Sequence, residues 1–223
     1  MSAAPPPFST PPIMLDDRSL DPATLRLVEF AAAAAAADDG PLRASAGRLA
    51  AAAPPAGWVD ELLLQSVLML GYPLALVAAA IWRQVSGQRA PARDVSAEET
   101  LSEWERRGID TCRTIYGANY ARLRANVRAL HPALDRAMVV EGYGRVLSRP
   151  GLDLARRELC TVAQIAVLGA PRQLHSHLRG ALNSGAGVAA VEAVLHAADP
   201  QLTPEARRVA WETWADVRGD TRG

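Results

Sequence analysis

The sequence predicts an all-α protein. Apolar residues make up 49% of the chain and aromatic residues only 5%. Alanine dominates the apolar set and β-branched runs are short. Alanine loses no side-chain entropy in a helix, whereas strands favour branched and aromatic side chains. Helical segments also recur between clear stop and start signals. With 223 residues, the chain is long enough for one large domain or two small ones with a real core.

The punctuation places the helices in order. The first starts at Asp21-Pro22 and runs through the alanine tract to Ala37, stopping at Asp38-Asp39-Gly40. The second covers Pro41 to Ala53 and ends at Pro54-Pro55. A third and a fourth flank Gly71-Tyr72-Pro73. Residues 84–95 mix Gly, Pro, Arg and Ser without periodicity and read as a linker. Ser96 and Glu99 offer a capping box for a helix that Gly108 would stop after Arg107. Further helices are expected over Asn119–Leu130, Pro132–Val140, Asp153–Leu168 and Arg172–Ser184, with a last one opening at Thr203-Pro204. Residues 1–14 are proline-rich, with no basic start followed by an apolar run, and read as a disordered tail.

Several function classes drop out. The 24 basic side chains balance 24 acidic ones, so no electrostatic footprint for nucleic acid is present. All the basic residues are arginine, which excludes a Schiff-base lysine and a Walker-type phosphate loop. Cys112 and Cys160 form no CxxC, and no HExxH or similar ligand spacing exists, so no metal site and no cofactor are expected. Leu62–Trp82 carries no formal charge and could span a bilayer by length. Gly71-Tyr72-Pro73 at its centre favours two buried helices instead, and a cytoplasmic protein without membrane association.

A shift of 132 residues aligns Leu20-Asp21 with Leu152-Asp153, Leu27 with Leu159, Leu42 with Leu174 and Leu63 with Leu195. Identities are few, but the turn signals coincide as well, which suggests an internal repeat. Its first copy would occupy 15–83. The second, after the 84–95 linker, would occupy 96–223.

Chemistry concentrates between Tyr143 and Leu195. Helices joined at Gly169-Ala170-Pro171 should form an antiparallel hairpin. Glu158 and His177 then differ by only ~6 Å in height along it, on axes ~8–10 Å apart. Glu158 shares a face with Leu154, Val162 and Ile165, and His177 with Leu174, Leu178 and Ala181. A carboxylate and an imidazole at the edge of an apolar pocket suit proton transfer near neutral pH. The plainer alternatives are a glutamate placed for the helix dipole and a satisfied core histidine. His175 reads as a surface residue, His131 as part of a turn, and Cys160 as a small core residue.

The stretch from Gly108 to Leu195 resembles the carboxymuconolactone decarboxylase family, which shares the alkylhydroperoxidase D-like fold. Matching elements are Arg113 to Gly117, Tyr143-Gly144, Ser148-Arg149-Pro150-Gly151-Leu152, Arg157, and His177-Leu178-Arg179-Gly180-Ala181 ending at Gly185. Residues 20–80 resemble the same domain again. The resemblance implies a duplicated helical bundle, ring-like homo-oligomers and a site on this hairpin. Peroxidase relatives are similar in a glutamate and a histidine nineteen residues apart, as Glu158 and His177 are, with a CxxC between them. Here Ala170 and Gln173 stand where those cysteines would fall, which disfavours thiol chemistry. Decarboxylase relatives lack the cysteines, although they tend to carry a small polar residue in place of Glu158.

The expected function is therefore a cofactor-independent decarboxylase or isomerase acting on a small carboxylated lactone or related acid. His177 and Glu158 are the candidate catalytic pair. Arg149, Arg157 and Tyr143 are the candidate substrate-binding residues, and a fold-stabilising ion pair is the equal alternative for both arginines. In the first repeat Arg26 and Ser45 occupy the places of Glu158 and His177, leaving that half structural. The competing class is a non-catalytic helical scaffold or ligand-binding protein.

Overall fold

The computed structural model of the chain describes residues 20–220, so the proline-rich segment lies outside the described residues. The elements run α1 (Pro22–Ala36), α2 (Asp39–Ala51), α3 (Trp58–Ser86), α4 (Leu101–Tyr116), α5 (Tyr120–Leu130) and α6 (Pro132–Ala137). A π-helical segment (Met138–Leu147) follows, then α7 (Leu154–Leu168), α8 (Pro171–Asn183), α9 (Val188–Ala198) and α10 (Pro204–Asp220). No strand occurs among the described residues, and the fold is the all-α bundle that the composition predicts.

Local chemistry sets the hairpins. The Asp21 carboxylate caps α1 by accepting from the Thr24 amide at 2.9 Å, and Asp153 caps α7 by accepting from the Arg156 amide at 3.0 Å. Both helices close on a left-handed residue, Ala37 at φ 58° and Gly169 at φ 64°. Adding 132 to the bounds of α1 and α2 gives the bounds of α7 and α8. The N-terminal hairpin thus shares its helix lengths, and the capping of its first helix, with the hairpin that carries Glu158 and His177.

The core sits around α7, where every residue from Ala155 to Ala166 is buried. The alanine run of α1 packs along it, with α3, α8 and α9 on its other sides. Arg156 ties the two hairpins at one end, bonding Asp21 at 2.9 Å and the Thr24 hydroxyl at 2.7 Å while its guanidinium lies 4.3 Å from the Trp58 ring. A second, smaller apolar cluster of Cys112, Ile115, Tyr143 and Leu147 joins α4 to the π-helical segment.

The structure departs from the sequence reading at four places. First, α4 passes through Gly108 instead of stopping there. A Cβ at Gly108 would lie 2.0 Å from the Val139 carbonyl oxygen, and one at Gly144 would lie 2.0 Å from that of Trp104. These glycines are points of backbone contact, not terminators. Second, the capping box at this helix is Thr100 with Glu103. Glu99 instead binds Arg107 and the Trp104 indole, and Ser96 binds Asp94. Third, the helix over Pro132–Val140 ends at Ala137 and widens into the π-helical segment. Fourth, α9 forms without having been marked by the punctuation, and α3 reaches into the expected linker. At Gly71 (φ 69°, ψ 171°) α3 breaks into two helical stretches, as expected from Gly71-Tyr72-Pro73, but the two are not the buried helices expected, because much of their apolar surface stays exposed. By length and composition α3 is apolar enough to cross a membrane, and it leaves Leu68, Tyr72 and Leu76 exposed.

Gly108→Ala tests the backbone contact. The added methyl group cannot fit without parting α4 from the π-helical segment, so a loss of about 3 kcal/mol is expected in denaturant unfolding. Unchanged stability would refute the close approach.

Candidate active site

Glu158 lies in the second turn of α7 and His177 in the second turn of α8, on the facing sides of the hairpin. His177 Nδ1 and Glu158 Oε2 are 2.9 Å apart. The carboxylate is fully buried and the imidazole is 7% exposed. Glu158 Oε1 has no hydrogen-bond partner among the described residues, although it too is buried. His177 Nε2 makes no hydrogen bond among them either, so one carboxylate oxygen and one ring nitrogen of the pair are left without a protein partner among the described residues.

Gly180 makes this approach possible. It lies on α8 one turn after His177, where a Cβ would sit 2.6 Å from Glu158 Oε2 and 2.8 Å from Ile115 Cγ2. Only a residue without a side chain admits the buried carboxylate there.

Cys112, Tyr116 and Tyr143 complete the surround. Burial pushes the Tyr116 phenol up to about 12, with the nearby Glu158 charge adding to the rise and the Tyr143 hydrogen bond opposing it. Burial likewise drives Tyr143 well above its usual range, reinforced by Tyr116 and Glu158. The two phenols are hydrogen-bonded at 2.9 Å, and both stay neutral donors under ordinary conditions. Burial also raises the Cys112 and Cys160 thiols to about 12, so neither supplies a thiolate near neutral pH.

A cleft of about 400 Å³ opens between α8 and the stretch from the end of α4 through α5; neither Glu158 nor His177 is among the described residues that line it, and Ile115, which meets Gly180 as Glu158 does, stands between. Ile115, Tyr116 and Asn183 form its inner wall, and Arg122, His175 and Arg179 line its flanks. One wall is anchored by Asp135, on which Arg124 closes as a fork and to which Arg128 Nη2 donates at 2.7 Å.

Of the residues singled out from sequence, Glu158, His177 and Tyr143 come together here. Arg149 and Arg157 do not join them. Arg157 is fully buried and donates to Glu61 Oε2 at 2.8 Å, to Gln65 and to the Leu152 carbonyl. Arg149 donates to the same Glu61 at 3.1 Å and to Asp94 at 2.9 Å. The two arginines form the ion-pair network between α3 and α7 that was their alternative reading, because a buried guanidinium must find a carboxylate within the fold. His175 is half-buried in the cleft wall rather than free on the surface. Arg26 pairs with Glu29, and the Ser45 hydroxyl donates to the Leu42 carbonyl of its own helix. No group of three or more metal-ligating side chains gathers among the described residues. Sequence reasoning missed Tyr116 and the role of Gly180. The signal for Gly180 was its place three residues after His177 on the inward face.

The buried carboxylate–imidazole pair thus sits in an all-helical bundle, on a hairpin that has no CxxC and whose one cysteine, Cys160, is buried in the core. The carboxymuconolactone decarboxylase family profile matches residues 132–215. A nitrosuccinic acid decarboxylase of Metarhizium robertsii is 35% identical over 134 residues, which is 55% of this chain and 92% of that protein. The chain belongs to the carboxymuconolactone decarboxylase family. Both matches support a decarboxylase-type activity.

Two measurements check the site. Gly180→Ala should lower stability by about 2 kcal/mol through overpacking against Glu158 and Ile115, and thermal unfolding at unchanged Tm would contradict the contact. Asp135 is held down to about 2, chiefly by Arg124 and then by Arg128. Its stabilising contribution is present above about pH 4 and is lost as pH falls toward 2. Asp135→Asn should therefore flatten the stability profile over that window, and an unaltered acid limb in denaturant titrations would contradict the clamp.

Proposed function

We propose that the protein is a carboxy-lyase that removes carbon dioxide from a small carboxylated acid, with His177 and Glu158 handling the proton. The observation that carries this reading is the buried Nδ1–Oε2 contact of 2.9 Å. The carbon–carbon bond to the departing carboxylate breaks, and its electron pair enters an adjoining acceptor group. A nitro group or a conjugated lactone carbonyl serves equally well, and the nitrosuccinic acid decarboxylase relative makes a nitro diacid the first substrate to try. The protonated imidazole, oriented through Nδ1 by Glu158 Oε2, then delivers its Nε2 proton to carbon. One proton is consumed and one carbon dioxide is released per turn. Neutral Tyr116, backed by Tyr143, offers a hydrogen bond to the charge that develops on the acceptor group. The chain's own groups supply each of these steps without a cofactor.

Carbon dioxide release from nitrosuccinate and from a carboxymuconolactone, followed with purified protein, tests the proposal. His177→Ala is expected to lower kcat by about 100-fold or more. Glu158→Gln should cost nearly as much, and the double variant little more than either, because a unit of two groups is not additive. Full turnover by His177→Ala, or strictly additive losses, would reject the paired mechanism.

A further inference from the structure

The two stretches of α3 fold back on each other. The Arg83 guanidinium bonds the Asp60 carboxylate although both belong to α3, 23 residues apart. In a straight helix they would stand ~35 Å from one another. The chain therefore reverses at Gly71, and each arm is only ~20 Å long, short of the ~30 Å core of a bilayer. Leu68, Tyr72, Pro73, Leu76 and Val77 all lie close to that bend and are exposed, Tyr72 by 68% and Leu76 by 62%. Together they present on the order of 500 Å² of apolar surface, near the most that a monomer leaves open and over half of what one partner gives a stable interface. No charged residue occurs from 62 to 82.

The C-terminal half of the chain shows the same surface as it looks when built for water. The shift of 132 residues that carries α1 and α2 onto α7 and α8 carries the two arms of α3 onto α9 and α10. Inward positions agree: Ala78 and Trp82 fall on Ala210 and Trp214, and all four are buried. Outward positions do not. Pro73, Leu76 and Ala80 fall on Glu205, Arg208 and Glu212, where the exposed Arg208 bonds both glutamates at 2.6 Å. Equal placement with opposite chemistry marks the α3 face as one that another apolar surface covers.

We infer that the tip of the α3 hairpin is the contact face between two copies of this chain, joined about a two-fold axis. A face that meets its own copy sets each charge near the axis against a like charge, so an uncharged face pairs with itself without repulsion. The tip meets that condition. A lipid surface fits less well. Elements that lie on membranes carry basic side chains beside their apolar residues, whereas Arg83, the arginine that follows the apolar stretch, is bound to Asp60. Because the contact is isologous, the assembly holds an even number of chains. The inference goes beyond the decarboxylase reading and does not depend on it.

Light scattering on the full chain at micromolar concentration tests this pairing. The expected mass is that of an even number of 23.7 kDa chains. Leu76→Glu and Leu68→Glu, each placing a carboxylate on the face, should raise the dissociation constant by about 100-fold or more with the helical circular dichroism unchanged. Leu130→Glu, the same change at an exposed leucine on α5, should leave the mass as it was. The inference is overturned if the protein is a monomer or an odd-numbered ring, if both α3 variants leave the assembly intact, or if Leu130→Glu alone breaks it. A monomer that floats with phosphatidylcholine vesicles, and no longer does so as Leu76→Glu, would assign the tip to lipid instead.

Discussion

A helix buried on every side leaves no solvent for its polar side chains, and α7 is such a helix. Arg156, Arg157, Glu158, Thr161 and Gln164 are all buried on it, and each finds its partner on another element. Arg156 reaches Asp21 near α1, Arg157 reaches Glu61 on α3, Glu158 reaches His177 on α8, and the Gln164 amide donates to Ser66 on α3 at 2.7 Å. These contacts fix how α1, α3 and α8 stand around α7. Leaving any one buried ion without its partner would cost several kcal/mol. The candidate catalytic pair is one member of this set, and Glu158, like Gln164, keeps one side-chain oxygen without a partner among the described residues.

Glycine does much of the remaining positioning, through contact more than through turns. Gly108 and Gly144 let α4 and the π-helical segment touch backbone to backbone, and Gly180 admits the Glu158 carboxylate. Both arrangements serve the same end. The first brings Cys112, Ile115 and Tyr143 into one cluster, and the second lets the pair form beneath it. The neutral phenols and thiol there follow from that enclosure.

The fold class, the two hairpins and the meeting of Glu158 with His177 were legible in the sequence, because caps, chain reversals and helical rise are local properties. The fate of Arg149 and Arg157 was not legible, since it depends on Glu61, some ninety residues away in the chain. Gly108 misled for a related reason. A glycine in a helical pattern reads as a stop unless the backbone that will press on it is known, and here that backbone belongs to Val139. The cleft escaped notice because Arg122 and Arg179 lie on different helices, and only the packing makes them face one space.

The π-helical segment at 138–147 carries a consequence for how this chain can vary. A π turn holds more residues than an α turn, so it acts as an insertion absorbed without a loop. Removing a single residue from it would restore the narrower winding and turn residues inside the segment to new faces, by up to about 100° each, while the flanking helices keep their phase. Tyr143 would then swing away from Tyr116, and Gly144 would no longer meet Trp104. Point substitutions in this stretch leave each residue on its present face, whereas length changes of one residue do not. The spacing between Ala137 and Leu147 is thus a more stringent requirement than most of the side chains it contains.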